Sequence, residues 1–315
     1  MNVYRSFEEI PYYSDTVLTV GTFDGIHRGH QYIISKLLEL SNNHKLRNLI
    51  LTIHPHPQIV LRKENKPNLK LLTSIEERLS LFERYGIENV LVIPFNYEFS
   101  QTPASTFIND YLFNKVGFKK ILIGYDHLFG KDRDGNESLL FDLSSKLNFD
   151  IEKLHRIDLE NNRISSTDIR NYIQDSKISY ANMLLGHHYG LRGLVIHGHK
   201  RGRTIGFPTA NLLPDDENKL VPSNGVYVVY FYHKNTKIFG MANIGFRPTV
   251  SDEKILSIEA HFFDFNEDIY DQNITIYFIE KIRDEKKFDS IQQLIEQLNH
   301  DRNLCKTLII NEISN

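Results

Sequence analysis

Two histidines and three glycines are concentrated in the stretch VGTFDGIHRGHQ, residues 20–31, directly after the apolar run TVLTV. A strand that ends in glycine and continues into a helix leaves backbone N–H groups that attract phosphate, helped by the helix dipole. His27 and His30 are three residues apart and lie on one face of a first helical turn. Imidazole N–H groups there can stabilise charge that grows on phosphorus during transfer. The spacing predicts a nucleotide phosphate site, and Gly29 would let phosphate approach the backbone closely.

A zinc site is the alternative interpretation of these histidines. The segment HPHP, His54 to Pro57, could supply further ligands. Its prolines fix the backbone, however, and zinc needs more ligands at suitable spacing, so metal ligation is disfavoured.

A second phosphate site is indicated by RISSTDIR, residues 163–170. Ser165 or Ser166 can cap a helix whose apolar face carries Ile169. Arg170 then supplies a cation near the start of that helix. Alone, the segment is typical of an ordinary capped helix with a solvated arginine. Together with the histidine motif, it predicts two helix N-termini that hold one triphosphate.

A third group of candidate residues lies in HGHKRGRTIGFPTANL, residues 197–212, where three glycines alternate with three basic residues. The pattern favours an anion-binding loop and a basic turn equally. Thr209 and Asn211 in its PTAN segment offer a hydroxyl and an amide carbonyl, which are oxygen ligands suited to Mg²⁺.

A carboxylate follows in SIEAHFFDF, residues 257–265. Strand alternation places Glu259 and His261 on one face and Ile258 with Ala260 on the other. Glu259 is therefore either a solvated residue on an outward face or a group at the wall of a pocket, where it could accept a proton.

The elements around these motifs fall into two halves. Up to about residue 185, short apolar runs such as NLILTI and NVLVIPF alternate with helical patterns such as SIEERLSLFERYG. This alternation predicts a doubly wound α/β domain, in which ligands bind beyond the carboxyl ends of the strands. After residue 185, five short runs rich in β-branched and aromatic residues predict an all-β sandwich or barrel. A last helix is expected, with Asp289 as its cap and an apolar stripe beginning at Ile291.

The composition limits the classes of function. The chain has 315 residues with a net charge of −3, 41% hydrophobic residues and 24% charged residues, so two globular domains are expected. The charge argues against a general nucleic-acid binder. We expect a cytoplasmic protein, because Cys305 is the single cysteine and the sequence shows no signal-peptide pattern. We expect no membrane association, because no stretch reaches about 18 apolar residues.

Several motifs in the same order resemble one family. GTFDGIHRGH resembles the signature of the HxGH nucleotidyltransferases, specifically the N-terminal module of the bacterial bifunctional riboflavin kinase/FAD synthetases. TIHPHP, GYDHLFG and RISSTDIR are similar to further segments of that module. GRTIGFPTAN is similar to the riboflavin kinase signature, and GVYVV, ANIGFRPT, SIEAHFFDF and RDEKKFDS also resemble the kinase module.

The resemblance implies a fold and a set of site residues. The fold would be a Rossmann-like adenylyltransferase domain, residues 1–184, followed by a Greek-key kinase β-barrel with a C-terminal helix, residues 185–315. Glu259, His27, His30 and Arg170 would be catalytic. The adenylyltransferase would bind ATP through Gly21, Thr22, Phe23, Asp24, Gly29, Ser165, Ser166 and Thr167, and flavin through Asp126, His127 and Phe129. The kinase would bind ATP through Gly198, Gly202, Arg203, Gly206 and Pro208, with Thr209 and Asn211 as ligands of Mg²⁺.

The implied activity is phosphorylation of riboflavin to FMN by ATP, followed by adenylylation of FMN to FAD with release of pyrophosphate. Three positions depart from the family pattern: His127, the pair Ile53 and His54, and the sequence GFRPTV. They leave room for a paralogue with only the adenylyltransferase activity. Two further alternatives are a non-catalytic flavin- or nucleotide-binding regulator and an HxGH enzyme that acts on another phosphate acceptor, which the PTAN half disfavours.

Overall fold

The computed structural model describes residues 1–62, 67–124, 130, 131, 135, 137–155, 158, 159, 162–198, 201–248 and 254–314. The chain forms two compact units. Met1–Leu69 and Ile75–Ser165 form the first, and Lys70–Ser74 and Ser166–Asn315 form the second. The predicted division between residues 184 and 185 stays a prediction.

A six-stranded parallel sheet is the centre of the first unit, in the order β1-β4-β3-β2-β5-β6. Its central strands are continuous apolar runs because helices cover both faces of the sheet. The strands are β1 (Asn2–Tyr4), β2 (Thr16–Gly21), β3 (Arg47–His54), β4 (Asn89–Pro94), β5 (Lys120–Ile123) and β6 (Asp150–Lys153). β7 (Asp158–Leu159) and β8 (Asn162–Arg163) form a separate antiparallel pair.

Two core clusters lie on the two faces of this sheet. In β2, Leu18 and Val20 belong to one cluster and Val17 belongs to the other. The helices are α1 (Arg28–His44), α2 (Pro57–Val60), α3 (Ile75–Arg84), α4 (Tyr97–Ser100), α5 (Ala104–Thr106), a π-helix (Phe107–Val116) and α6 (Glu137–Leu147). A parallel sheet with a core on each face confirms the predicted doubly wound α/β fold.

The order of the strands identifies the edge where a ligand site is expected. β2 lies between β3 on one side and β5 on the other, so the strand order reverses at β2. In open α/β sheets, ligands bind beyond the carboxyl ends of the strands at such a reversal. The histidine motif follows the carboxyl end of β2 at Gly21, which is the predicted place.

The second unit contains a closed six-stranded antiparallel barrel, in the order β10-β13-β12-β11-β14-β9. β11, β12 and β13 are consecutive neighbours, and β14 returns beside β11, which is the Greek-key arrangement. The strands are β9 (Tyr189–Ile196), β10 (Ala210–Pro214), β11 (Gly225–His233), β12 (Thr236–Pro248), β13 (Lys254–Phe262) and β14 (Asn273–Arg283). The helices are α7 (Ser166–Gln174), α8 (Ile178–Leu185), α9 (Arg201–Thr204) and α10 (Ile291–Ser314).

The long C-terminal helix α10 covers part of the barrel. Cys305 and Ile309 of α10 pack in one cluster with Val226 and Val228 of β11. The predicted start of this helix is wrong by one residue, because the side chain of Ser290, not Asp289, accepts the hydrogen bond from Gln293 N at 3.2 Å. Ile291 is exposed, so the apolar stripe does not begin there.

The segment Lys70–Ser74 packs as part of the second unit, although it lies between two stretches of the first. Leu71 forms a parallel bridge with Lys219, whose buried ammonium donates to Leu72 O at 2.6 Å. The same ammonium lies 4.4 Å from the centre of the Tyr189 ring. We call residues 70–74 the strap.

Candidate active sites

The loop after β2 has a strained backbone. Phe23, Gly25 and Ile26 have φ angles of 50°, 84° and 39°. Positive φ is costly for non-glycine residues, and most costly for a β-branched residue such as isoleucine. Ile26 N donates to Phe23 O at 3.2 Å and closes the turn. Such strain is retained where a loop must keep one particular shape, and this loop leads directly into α1.

The two histidines of the motif lie against each other at the start of α1. His27 is the N-cap, and its Nδ1 accepts a hydrogen bond from His30 N at 3.4 Å. The two imidazole rings are stacked, with centroids 3.8 Å apart and planes 13° apart. Gly29 lies beside them, and a Cβ on it would be 3.1 Å from the His27 ring. The predicted pairing of the histidines at a helix N-terminus is therefore present.

The environment of His30 keeps its imidazole neutral. Burial, then the nearby His27 and Arg78, lower the pKa of His30 well below its usual range. Its Nδ1 is buried, and no described residue is its hydrogen-bond partner. Buried polar atoms nearly always have partners, so an exception marks a candidate functional group.

The remaining predicted residues of this loop surround the histidines. The Phe23 ring lies 5.1 Å from the His30 ring and packs edge-on against Phe82. Gly21 ends β2, and a Cβ on it would be 3.0 Å from the Phe23 ring. Asp24 is almost fully buried, with 1% of its surface exposed. Thr22 contributes its carbonyl oxygen, which accepts from Thr52 Oγ1 at 3.2 Å.

Sequence reasoning missed Arg78, which contacts the strand next to this loop. Arg78 is fully buried, and its Nη1 donates to Thr52 Oγ1 at 3.0 Å and to Ile53 O at 3.2 Å. The signal was present in the helical spacing. Arg78 lies three residues after Ile75 and four before Phe82, so it occupies the buried face of α3.

The serine-threonine motif forms the start of α7. The helix begins at Ser166, so Ser165 is at the predicted capping position and Thr167 is in the first turn. Arg170 Nε donates to Lys70 O of the strap at 2.7 Å. Ile169 and Ile173 are buried, as the predicted apolar face requires.

The predicted flavin contacts of the first half, Asp126, His127 and Phe129, lie outside the described residues. The roles assigned to them therefore stay predictions.

The predicted kinase residues meet on neighbouring strands of the barrel. Asn211 of β10 and Asn243 of β12 are both paired in register with Glu259 of β13. Residues paired in this way project from the same face of a sheet. Thr209 Oγ1 donates to Glu259 Oε2 at 3.4 Å, and Ser257 Oγ donates to Glu259 Oε1 at 3.2 Å. Asn243 and Ser257 had not been predicted as neighbours of the carboxylate.

The glycines of the second loop allow close contacts at this site. A Cβ on Gly198 would be 2.1 Å from the side-chain nitrogen of Asn211. A Cβ on Gly202 would be 2.1 Å from Phe207 O. Both distances are far below van der Waals contact, so only glycine fits without displacing these groups.

The rest of this loop is held by Pro208 and Gly206. Pro208 O accepts a hydrogen bond of 2.8 Å from His261 Nδ1, and burial lowers the pKa of His261, which favours the neutral ring. Gly206 has a φ of 81°. Arg203 lies in α9, and its side chain lies outside the described part of the structure.

The oxygens of Thr209 and Asn211 beside Glu259 fit a hard divalent cation. The Thr209 hydroxyl is within hydrogen-bond distance of the Glu259 carboxylate, and Asn211 is opposite on the next strand. Hydroxyl and amide oxygens are ligands that Mg²⁺ accepts when it also keeps waters and phosphate oxygens. Among the described residues, no three His, Cys, Asp or Glu side chains cluster as metal ligands.

Comparison with known proteins covers both halves. An FAD synthetase family profile matches residues 10–168, and a riboflavin kinase profile matches residues 185–309. A bifunctional riboflavin kinase/FMN adenylyltransferase of Buchnera aphidicola subsp. Acyrthosiphon pisum is 38% identical over 290 residues, which is 91% of each chain. The enzyme of that name from Bacillus subtilis is 36% identical over 291 residues, covering 91% of this chain and 90% of its own.

The chain belongs to the bifunctional riboflavin kinase/FMN adenylyltransferase family. As a member, it is an enzyme that phosphorylates riboflavin with ATP to FMN and adenylylates FMN with ATP to FAD. The activity and the fold expected from the sequence are confirmed, and neither the adenylyltransferase-only paralogue nor the regulator is favoured by any comparison.

A solved structure with this fold carries a different description. A Streptococcus pneumoniae chain described as a macrolide-efflux protein superimposes with a TM-score of 0.85 at 33% identity, covering 97% of this chain and 98% of its own. In the part of this chain that the structure describes, no helix is long and apolar enough to cross a membrane.

Proposed function

We propose that Glu259 is the general base of the kinase reaction. The riboflavin hydroxyl oxygen attacks the γ-phosphorus of ATP, ADP leaves, and the hydroxyl proton passes to the Glu259 carboxylate. The observation that carries this proposal is the carboxylate itself, which accepts hydrogen bonds from Thr209 and Ser257 and is opposite Asn211. The two hydroxyl groups fix the orientation of both carboxylate oxygens.

The ATP of the kinase reaction would lie against the loop of residues 198–208. Gly198 and Gly202 make room for Asn211 Nδ2 and Phe207 O, which shape this loop, and Gly206, Pro208 and Arg203 would complete the predicted contacts. Thr209 and Asn211 would hold Mg²⁺, which when bound neutralises charge on the phosphate oxygens. Replacement of Thr209 by alanine should therefore weaken kinase turnover at low Mg²⁺, with partial recovery as Mg²⁺ is raised. A defect that is independent of Mg²⁺ would contradict this ligand role.

For the adenylyltransferase reaction, we propose that an oxygen of the FMN phosphate attacks the α-phosphorus of a second ATP, and pyrophosphate leaves. His27 and His30 would donate hydrogen bonds to the phosphates from the N-terminus of α1, where the backbone N–H groups and the helix dipole also favour anions. Gly21, Thr22, Phe23, Asp24 and Gly29 would shape this loop. The roles of Ser165, Ser166, Thr167 and Arg170 depend on the motif alone.

The partners implied by these reactions are ATP, riboflavin and FMN. A cytoplasmic location and the absence of nucleic-acid binding stay predictions, supported by the single cysteine and the net charge of −3.

Product analysis of three proteins tests the assignment of the two sites. The parent chain, His30→Ala and Glu259→Gln are each incubated with riboflavin, ATP and Mg²⁺, and the flavins are separated by chromatography. His30→Ala should accumulate FMN without FAD. Glu259→Gln should make little FMN from riboflavin but convert supplied FMN to FAD normally. Loss of the same activity in both variants would contradict the assignment.

A further inference from the structure

Arg78 is a charged residue deep inside the first unit. None of its surface is exposed, and among the described residues it is the largest of the fully buried side chains. Burial of a cation is costly unless hydrogen bonds or opposite charges compensate for lost hydration. We therefore expect Arg78, buried between a helix and the sheet, to have a structural or functional role that offsets this cost.

The hydrogen bonds of Arg78 lead to the loop of the histidine motif. Nη1 donates to Thr52 Oγ1, and Thr52 Oγ1 in turn donates to Thr22 O. Nη1 also donates to Ile53 O, the carbonyl next along β3. Thr52 is paired in register with Gly21, the last residue of β2. Arg78 thus orients the Thr52 hydroxyl, which donates to the Thr22 carbonyl. Thr22 immediately precedes Phe23, where the strained backbone begins.

We propose that Arg78 is a positioning residue for adenylyl transfer, which holds the Thr22–His27 loop through Thr52 in the shape that receives the triphosphate. The inference rests on the proposed role of His30 in that site. Arg78 does not need to touch the substrate. A displacement of about 1 Å in such a loop is enough to lower a rate on the order of a hundredfold.

The charge of Arg78 provides a second, independent readout. The nearby His27 and Arg78 both disfavour the protonated form of His30. Removal of the arginine charge should therefore raise the pH at which His30 titrates. A change in the Thr52 hydroxyl alone leaves both groups in place and should not move this titration.

Three variants and a matched control separate the two effects. Arg78→Met removes the charge and the donors, Arg78→Lys keeps the charge, and Thr52→Val removes the hydroxyl at nearly constant volume. Arg84→Met is the control, because Arg84 is exposed on the same helix. Adenylylation of supplied FMN, riboflavin phosphorylation and thermal unfolding are measured for each full-length protein. The His30 ring is titrated by NMR and assigned by the signal missing in His30→Ala.

The expected results differ among these proteins. Thr52→Val should lower the turnover of FMN adenylylation on the order of tenfold without moving the His30 titration. Arg78→Met should lower it on the order of tenfold to a hundredfold and move the titration to higher pH. Arg78→Lys should titrate like the parent. Kinase turnover should be unchanged in all of them, and Arg84→Met should match the parent throughout.

Two outcomes would overturn the inference. The first is that Thr52→Val adenylylates FMN with a turnover within about twofold of the parent. If Arg78→Met does not fold, the result for Thr52→Val decides the question by itself. The second is that, in each variant, the fraction of adenylyltransferase activity lost equals the fraction of protein that is unfolded. His30→Ala distinguishes these from failure of the proposed site, because full adenylyltransferase activity in His30→Ala would refute the site itself.

Discussion

Replacement of Glu259 by glutamine is the most direct test of the kinase site, because it changes chemistry with little change in structure. The carboxylate accepts hydrogen bonds from Ser257 Oγ at 3.2 Å and Thr209 Oγ1 at 3.4 Å. Glutamine keeps one acceptor oxygen. Its NH₂ group would face a hydroxyl that can rotate and accept a hydrogen bond. The structural cost is therefore at most one hydrogen bond, about 1 kcal/mol.

The expected effect on rate is much larger than this cost. Loss of a general base lowers a rate by about 10² to 10⁴, which is about 2.7–5.4 kcal/mol in activation free energy. A loss of about 1 kcal/mol in stability lowers the melting temperature of a unit of this size by about 2–4 °C. We therefore expect FMN formation to fall at least a hundredfold in a protein that still melts within a few degrees of the parent.

The assay compares riboflavin phosphorylation at saturating ATP and Mg²⁺ with adenylylation of supplied FMN in the same preparation. Glu280→Gln is the matched control, because Glu280 is an exposed carboxylate on β14 of the same barrel. Both activities of Glu280→Gln should equal those of the parent. Kinase turnover within about threefold of the parent in Glu259→Gln, at an unchanged melting temperature, would refute the base assignment.

Three further predictions concern other parts of the chain. His30→Ala should lower FAD formation by about a hundred- to a thousandfold while riboflavin phosphorylation persists, and unchanged FAD formation would remove this histidine from the mechanism. Gly198→Ala should reduce kinase turnover but not FMN adenylylation, because the new Cβ would be 2.1 Å from Asn211 Nδ2 and must displace it; a fully active kinase would show that the Asn211 side chain need not stay in place. Burial raises the pKa of the Cys305 thiol to about 12, so iodoacetamide should label Cys305 at pH 8 only after unfolding; rapid labelling of the native protein would contradict its burial.

The sequence predicted most of the elements that position the sites. β2, β3, β4 and β5 are continuous apolar runs, and the glycines and histidines after β2 carry an unambiguous pattern of residue types. β10 was missed because ANLLP is too short and mixed for a strand pattern, although it holds Asn211 opposite Glu259. The π-helix was missed because its five-residue backbone repeat, as in Gly117 N to Leu112 O, does not match the helical period used to recognise helices.

Other features could not be predicted because they depend on contacts between distant residues. The helical spacing places Arg78 on the buried face of α3, but only the packed structure shows that Thr52 is its hydrogen-bond partner. The register that places Asn243 beside Glu259 is set by strand pairing across the barrel. The cap of α10 was misplaced by one residue because Asp289 and Ser290 are both good capping residues.

The strap has a consequence for the order in which this protein is made. The bond from Lys219 to Leu72 joins residues 147 positions apart, so Leu72 is synthesised long before its partner. At 5–20 residues per second, the interval is roughly 7–30 s. During that time Leu71 and Leu72 stay exposed, because the residues that bury them in the folded protein are not yet synthesised. A ribosome-bound chain that ends before residue 219 should therefore be cut by protease at residues 70–74, and the released full-length chain should resist cleavage there.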